Sequence, residues 1–157
     1  MYFIIKQSKH YSRWFPKFTF RKVLIGSFTL LGDFSYDIGK KQTDSNKLFG
    51  VSDSWHHHKN SIRIGWRWNR IVNRIEIVGI CYNGGKRVIK QITRIDSNNK
   101  IDFIISIEKD KYLVRVGDEF VTFDRNSRWK LFRYFLFPFF GGVTKAPKDF
   151  KFKIDLL

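Results

Sequence analysis

The run Trp55-His56-His57-His58 holds most of this sequence's capacity for acid–base or metal chemistry. In an extended segment His56 and His58 point one way and His57 the other, so two imidazoles can share a metal ion. Asp53 is the only acid close by, and no Cys-x-x-Cys or His-x-x-x-His accompanies the run. No metal or other cofactor is therefore implied. A histidine acting as general base in a cleft is the other chemical use, with Tyr82 or an arginine assisting proton abstraction beside a carboxylate. The plainer alternative is a loop that packs Trp55 and hydrogen-bonds through its rings. His10 has no companions.

A second constellation is basic. Arg63 and Arg67 fall on one side of the alternating segment Ser61–Trp68, about 13 Å apart at the usual strand rise. Arg74 with Glu76, and Lys90 with Arg94, are spaced to share one face of each of the next two segments, with Tyr82 at the edge. The expected ligand-binding set is Arg63, Arg67, Arg74, Glu76, Tyr82, Lys90, Arg94, Trp55, His56 and His58. Arginine's planar fork grips carboxylate, sulfate or phosphate through two donors, which suits an acidic polymer. A solvated face whose charges pair among themselves is the competing reading.

Other catalytic arrangements are missing. Glu76, Glu108 and Glu119 are the only glutamates, too few and too scattered for a paired-carboxylate hydrolase. Gly84-Gly85 and Gly141-Gly142 open no helix and so make no phosphate loop. Trp66 and Trp68 lie on the apolar side of their segment and are expected in the core. Trp14, Trp55 and Trp129 sit in basic, loop-like contexts where an indole can stack on a sugar or a base. Cys81, the single cysteine, can form no internal disulfide and is expected to act as a small core hydrophobe.

The elements that must position these groups are strands. Period-2 alternation recurs and no 3.6-residue apolar period is sustained. Ile62, Ile64, Trp66 and Trp68 alternate with polar residues; Arg74–Tyr82 and Lys86–Ile95 flank the hairpin turn Asn83-Gly84-Gly85. Ile101–Glu108, Lys111–Val116 and Glu119–Phe123 follow, which predicts a six-stranded antiparallel meander over residues 61–123. Phe18–Phe20 and Val23–Leu31 predict one long or two short strands, residues 32–54 a loop with one helical turn, and Leu131–Phe137 and Phe150–Ile154 the last strands. About ten strands without a helix predict an all-β domain, two stacked antiparallel sheets spanning residues 1–157.

Charge sharpens the functional expectation. The 157 residues carry a net charge of +16 with 43% hydrophobic residues, so the chain is basic but able to bury a core. Residues 1–30 hold six Lys/Arg and no acid, residues 54–95 nine against Glu76, and residues 125–153 eight against Asp149. Residues 96–124 hold seven acids against four bases. Clustered positive charge attracts anionic chains by counterion release. No signal peptide and no apolar run long enough to span a bilayer is present, which favours a cytoplasmic or virion-associated protein.

Three stretches carry a resemblance: Lys47-Leu48-Phe49-Gly50 before the His-rich loop, Ile64-Gly65-Trp66-Arg67-Trp68, and Phe137-Pro138-Phe139-Phe140-Gly141-Gly142 with Ala146-Pro147. In these the chain resembles the concanavalin A-like, jelly-roll β-sandwiches of bacterial lectins, glycan-binding modules and some polysaccharide lyases. The resemblance implies a curved sheet whose concave face takes the ligand. It brings no catalytic set: the Glu-x-Asp-x-x-Glu strand of glycosidases of this fold is absent, and Gln91-Ile92-Thr93 has threonine where the lyase pattern needs histidine. The expectation is a non-catalytic binding or structural protein whose partner is an acidic polysaccharide, or nucleic acid within an assembly such as a phage particle, where other protein subunits join it. A polysaccharide lyase acting on a uronate polymer is the alternative, with His57, Tyr82 and Arg67 as base, acid and carboxylate clamp.

Overall fold

Trp66, fully buried, is the hub around which the sheets close. In the computed structural model, which describes residues 1–157, its ring meets Phe34 at 4.9 Å and Phe150 at 5.0 Å between centroids, with Phe140 and Phe152 just beyond. Offset and edge-on rings of this kind interlock two sheets, and truncating one to alanine costs about 3–5 kcal/mol. Trp68 packs half-buried at the margin of the same core.

Twelve strands, β1 (Tyr2–Ile5), β2 (Phe18–Thr19), β3 (Val23–Leu31), β4 (Asn46–Ser52), β5 (Ser61–Asn69), β6 (Arg74–Asn83), β7 (Lys86–Ile95), β8 (Ile101–Ile107), β9 (Lys111–Val116), β10 (Glu119–Asp124), β11 (Arg133–Leu136) and β12 (Phe150–Leu156), form two six-stranded sheets. The first sheet runs β1-β12-β3-β8-β9-β10 and the second β2-β11-β4-β5-β6-β7, with every pairing antiparallel. The only helical element is a single 3-10 turn at Gly39–Lys41, and no helix is long and apolar enough to cross a membrane.

The expected meander divides. β5-β6-β7 stay in the second sheet, whereas β8-β9-β10 belong to the first. The segment Asp96–Asn99 was expected to act as a hairpin turn and instead carries the chain between sheets. Asn98 adopts φ 67°, donates its backbone N–H to Leu30 O at 2.7 Å and accepts from Gly32 N–H at 2.8 Å, which ties it to the end of β3. Strand β4 lies within the stretch expected to be a loop, and β1 was not anticipated at all. Phe18–Thr19 and Val23–Leu31 are two strands in different sheets.

Candidate anion-binding face of the second sheet

β5 alternates strictly. Ile62, Ile64 and Trp66 enter the core, so Ser61, Arg63, Gly65 and Arg67 face out of the sandwich. Pairing sets their neighbours: Arg67 opposes Glu76 on β6, and Glu76 in turn opposes Arg94 on β7. Arg63 lies between Gly50 on β4 and Ile80 on β6, and Ser61 opposes Tyr82.

One end of this face neutralises itself. Arg67 Nε donates to Glu76 Oε2 at 2.7 Å, Asn69 Nδ2 to Oε1 at 2.8 Å, and Arg94 Nη2 reaches Oε1 at 3.5 Å. Burial by itself would push the Glu76 carboxyl up. The hydrogen bonds from Asn69 and Arg67 and the two guanidinium charges outweigh burial and hold it below the ordinary value. Arg74 pairs with Asp96 at 3.3 Å. These four predicted site residues are spent largely on one another and on Asp96.

The other end has no such balance. Arg63 is only 7% exposed, and its Nε and Nη2 have no hydrogen-bond partner. Buried charge of this kind is ordinarily paired. Burial lowers the Arg63 pKa to about 10, so it stays protonated at neutral pH, and the groups that offset this are the phenols of Tyr82 and Tyr134 rather than any carboxylate. Lys47, held near about 8 first by burial and then by Arg63 and Arg87, donates to Gly141 O at 2.8 Å. His58 is depressed by burial, Arg63 and Lys47, and its ring lies 5.2 Å from that of Tyr82.

His57 belongs to the same group. The histidine run is a turn rather than an extended segment: His56 O accepts Lys59 N–H at 2.8 Å, and the His57 and His58 rings stand 4.3 Å apart. The expected facing of His56 with His58 is therefore lost. The His57 backbone N–H donates to Tyr134 Oη at 3.1 Å, and Tyr134 Oη donates to Trp55 O at 3.0 Å. With its single proton used, Tyr134 accepts from His57 Nδ1 at 3.3 Å. That network places the ring proton on Nδ1 and leaves Nε2 as the basic atom. Burial, then Arg63 and the flanking histidines, lowers the His57 pKa to about 4, so the ring is neutral at physiological pH.

His57 and Arg63 line a cavity of about 310 Å³ whose other walls include Tyr11, Trp14, Leu136 and Phe139. The wall strand is pinned by Ser12 Oγ donating to Pro138 O at 3.0 Å and by His10 stacking on Phe139 at 5.3 Å. The base of the turn is pinned by Asp53, fully buried, which accepts Arg133 Nε at 2.9 Å, Arg125 Nε at 2.7 Å and Tyr112 Oη at 2.8 Å. Both Asp53 oxygens are thus committed to the protein.

Of the predicted residues, Arg63 and His57 line this cavity, and His58 and Tyr82 stand beside it, His58 against the His57 ring and Tyr82 against that of His58. Arg67, Arg74, Glu76 and Arg94 occupy the neutralised end, and Trp55 and His56 line a different cleft across the turn. Lys90 does not share a face with Arg94. A bulge between Ile77 and Val78 of β6 shifts the β7 register by one, so Lys90 opposes Gly79 and reaches Thr122 O at 2.6 Å and the Phe123 ring at 5.0 Å. Lys47, Arg87, Tyr134 and Tyr11 were missed. Alternation in Arg133–Leu136 was the available signal for Tyr134, which faces outward while Arg133 turns in to Asp53.

No family model and no curated protein sequence matches the chain. Solved structures do. The alginate lyase AlyC3 superposes with a TM-score of 0.67 at 10% identity, over 99% of this chain and 71% of its own. AlyC3 in complex with dimannuronate gives 0.62. An alginate lyase from Klebsiella pneumoniae gives 0.60 at 11% identity, over 85% of this chain and 56% of its own. At this identity the likeness is one of fold, and the chain is a two-sheet antiparallel β-sandwich of the jelly-roll, concanavalin A-like type.

Proposed function

We propose that the protein binds an acidic polysaccharide on the outward face of the second sheet, with Arg63 as the carboxylate anchor. One observation carries this: Arg63 lines the cavity with a buried guanidinium that no carboxylate pairs and whose Nε and Nη2 have no partner, so a ligand carboxylate there meets an uncompensated charge. Lys47, Arg87, His57 and His58 add positive or protonatable character around it, offset only by Asp44 acting on Lys47. Tyr11, Trp14 and Phe139 offer apolar walls for a pyranose ring. The test is titration calorimetry at low salt with polymannuronate, polygalacturonate, a neutral glucan and single-stranded DNA. Uronate binding that falls linearly in log affinity with log salt, and that weakens at least tenfold in Arg63→Lys, is expected. Silence toward every uronate, or indifference to Arg63→Lys, overturns the reading. DNA binding without uronate binding transfers the site to phosphate.

A second reading is elimination at the same pocket, and the neutral His57 favours it. A carboxylate held by Arg63 makes the adjacent C5–H more acidic. His57 Nε2 takes that proton, the C4–O bond breaks, and the pair left at C5 becomes a C4=C5 double bond while a hydroxyl such as Tyr82 protonates the departing oxygen. Arg63 replaces Arg67 as the clamp in this scheme, because Arg67 is held by Glu76. New ultraviolet absorbance from the conjugated double bond, abolished by His57→Ala with binding retained, is the expected signature. No absorbance change across the uronate panel removes this reading and leaves binding.

A further inference from the structure

Across the Trp55–His58 turn from the Arg63 cavity lies a cleft of about 690 Å³, whose walls include Trp55, His56, Lys59, Arg128, Trp129 and Lys130. Trp55 is 63% exposed, an unusual setting for an indole. It is nevertheless fixed, standing edge-on to Trp129 at 5.4 Å and to Phe132 at 5.5 Å. Trp129 is fixed in turn by Nε1 donating to Phe132 O at 2.9 Å and by its backbone N–H donating to Ser127 Oγ at 3.2 Å. Ser127 Oγ donates to Asp53 O at 2.9 Å, and Asn60 Oδ1 accepts Gly84 N–H at 3.0 Å from the facing hairpin. The walls are preorganised.

The cations of the cleft are free. Lys59 and Lys130 enter no ion pair or side-chain hydrogen bond, and Arg128 has only Asp110, at 4.0 Å, between two well-exposed side chains. No acid lines the cleft. A neighbouring cavity of about 590 Å³ shares Arg128, Trp129 and Lys130 and adds Lys22 and Lys109 against a single acid, Glu108, so the basic groove continues past Trp129.

We propose that this cleft is a second binding site for the same class of ligand, an anionic polysaccharide, distinct from the Arg63 site and separated from it by the Trp55–His58 turn. The inference rests on the reading given under Proposed function. A pyranose stacked on Trp55 carries its carboxylate at the ring's edge, inside a cleft that Lys59 and Lys130 also line; a stacked nucleobase holds its phosphate a sugar away. Two sites on either side of one turn make the preferred ligand a chain long enough to cross it, and linkage raises affinity for such a chain well above that for either piece.

The test compares a mannuronate trimer with a mannuronate polymer on the wild type, on Trp55→Ala with Lys59→Glu and Lys130→Glu, and on Arg63→Lys. All three cleft positions are exposed, and circular dichroism with melting checks that the variant folds. The cleft variant is expected to lose at least tenfold in polymer affinity and about two from its salt slope, with trimer affinity within twofold of wild type. Unchanged polymer affinity refutes the second site and leaves the Arg63 reading standing. An equal loss for trimer and polymer refutes the separation of the sites. Indifference of both ligands to Arg63→Lys, with the cleft variant weakened, refutes the Arg63 reading and retains the cleft. Wild type that binds no uronate refutes both, and single-stranded DNA binding lost in the cleft variant, with uronate silent, refutes the glycan assignment.

Discussion

Arg63→Leu should make the protein more stable while weakening its affinity for short acidic oligosaccharides at least tenfold. Burial brings the Arg63 pKa down from its ordinary value to about 10. At about 1.4 kcal/mol for each pH unit, holding the buried charge costs about 3 kcal/mol relative to the unfolded chain. Leucine removes that cost and the repulsion felt by Lys47, His57 and His58. It also gives up part of the packing of the longer arginine stem against Gly50 and Ile80, so a net gain of about 2 kcal/mol is expected. For a domain of this size that corresponds to a melting temperature higher by roughly 4–8 °C. Arg67→Leu is the control. It strips the buried carboxylate of Glu76, 4% exposed, of its 2.7 Å partner and should lower stability by about 1–3 kcal/mol. Thermal and urea melts paired with uronate titrations read both quantities. An Arg63→Leu variant that melts below wild type, or that binds a uronate trimer as tightly as wild type does, would show that the arginine is a structural strut rather than an anion site.

Lowering the pH should destabilise the free protein and tighten ligand binding together. His57 is neutral in the fold with a pKa of about 4 against an ordinary 6.5, so the stability from keeping it neutral is complete above 6.5 and is lost as pH falls toward 4. A bound anion favours the charged ring, so binding takes up a proton in that window, a shift measurable by calorimetry in two buffers; no uptake separates His57 from the site. Affinity should also fall as pH rises through about 8, where Lys47 loses its charge, and Lys47→Arg should flatten that limb. Asp53→Asn leaves Arg125 and Arg133 buried with half a partner, at 9% and 3% exposure, and should cost about 3–5 kcal/mol in urea unfolding. Gly50→Ala places a Cβ 2.6 Å from Arg63 Cα and 2.8 Å from its Cγ, beside Ile62 O. It should cost about 1–3 kcal/mol and weaken uronate binding, whereas an unchanged melt would mean that β4 yields freely there.

The strand pattern was legible where polar and apolar residue types alternate, even where, as in β5, both faces are buried. β5 announces its facing by alternation, and so places Arg63 and Arg67 on one side without any structure. Where pattern failed, the cause is local. β4 is buried along almost its whole length and contains Gly50, so it shows no period and reads as loop. Lys90 was misplaced because one bulge inverts everything beyond it on β7, and nothing in Gln91-Ile92-Thr93 marks that bulge. The histidine run is the loop that packs Trp55 and hydrogen-bonds through a ring, the plainer of its readings, while the contacts that close it, backbone donation to His56 O and Tyr134 from a distant strand, leave no local mark in the sequence.

The location of the free charge nevertheless follows from two facts, one of them visible before any fold. Residues 54–95 contain nine bases and a single acid, so at most a few of the bases can be paired locally. The β5–β6 register then assigns that acid, Glu76, to Arg67, four residues along the same face from Arg63. Side chains two pleats apart on a strand are about 13 Å from one another, beyond hydrogen-bonding reach. Glu76 therefore cannot serve both arginines, and Asp53, the next acid along the chain, is turned inward to Arg125 and Arg133. With both acids committed, neither pairs with Arg63, whose buried Nε and Nη2 are left without a partner. A four-residue shift of the β5–β6 register would bring Glu76 opposite Arg63 and pair it, so the hairpin at Asn69–Arg74 determines where an anion can bind as surely as Arg63 does.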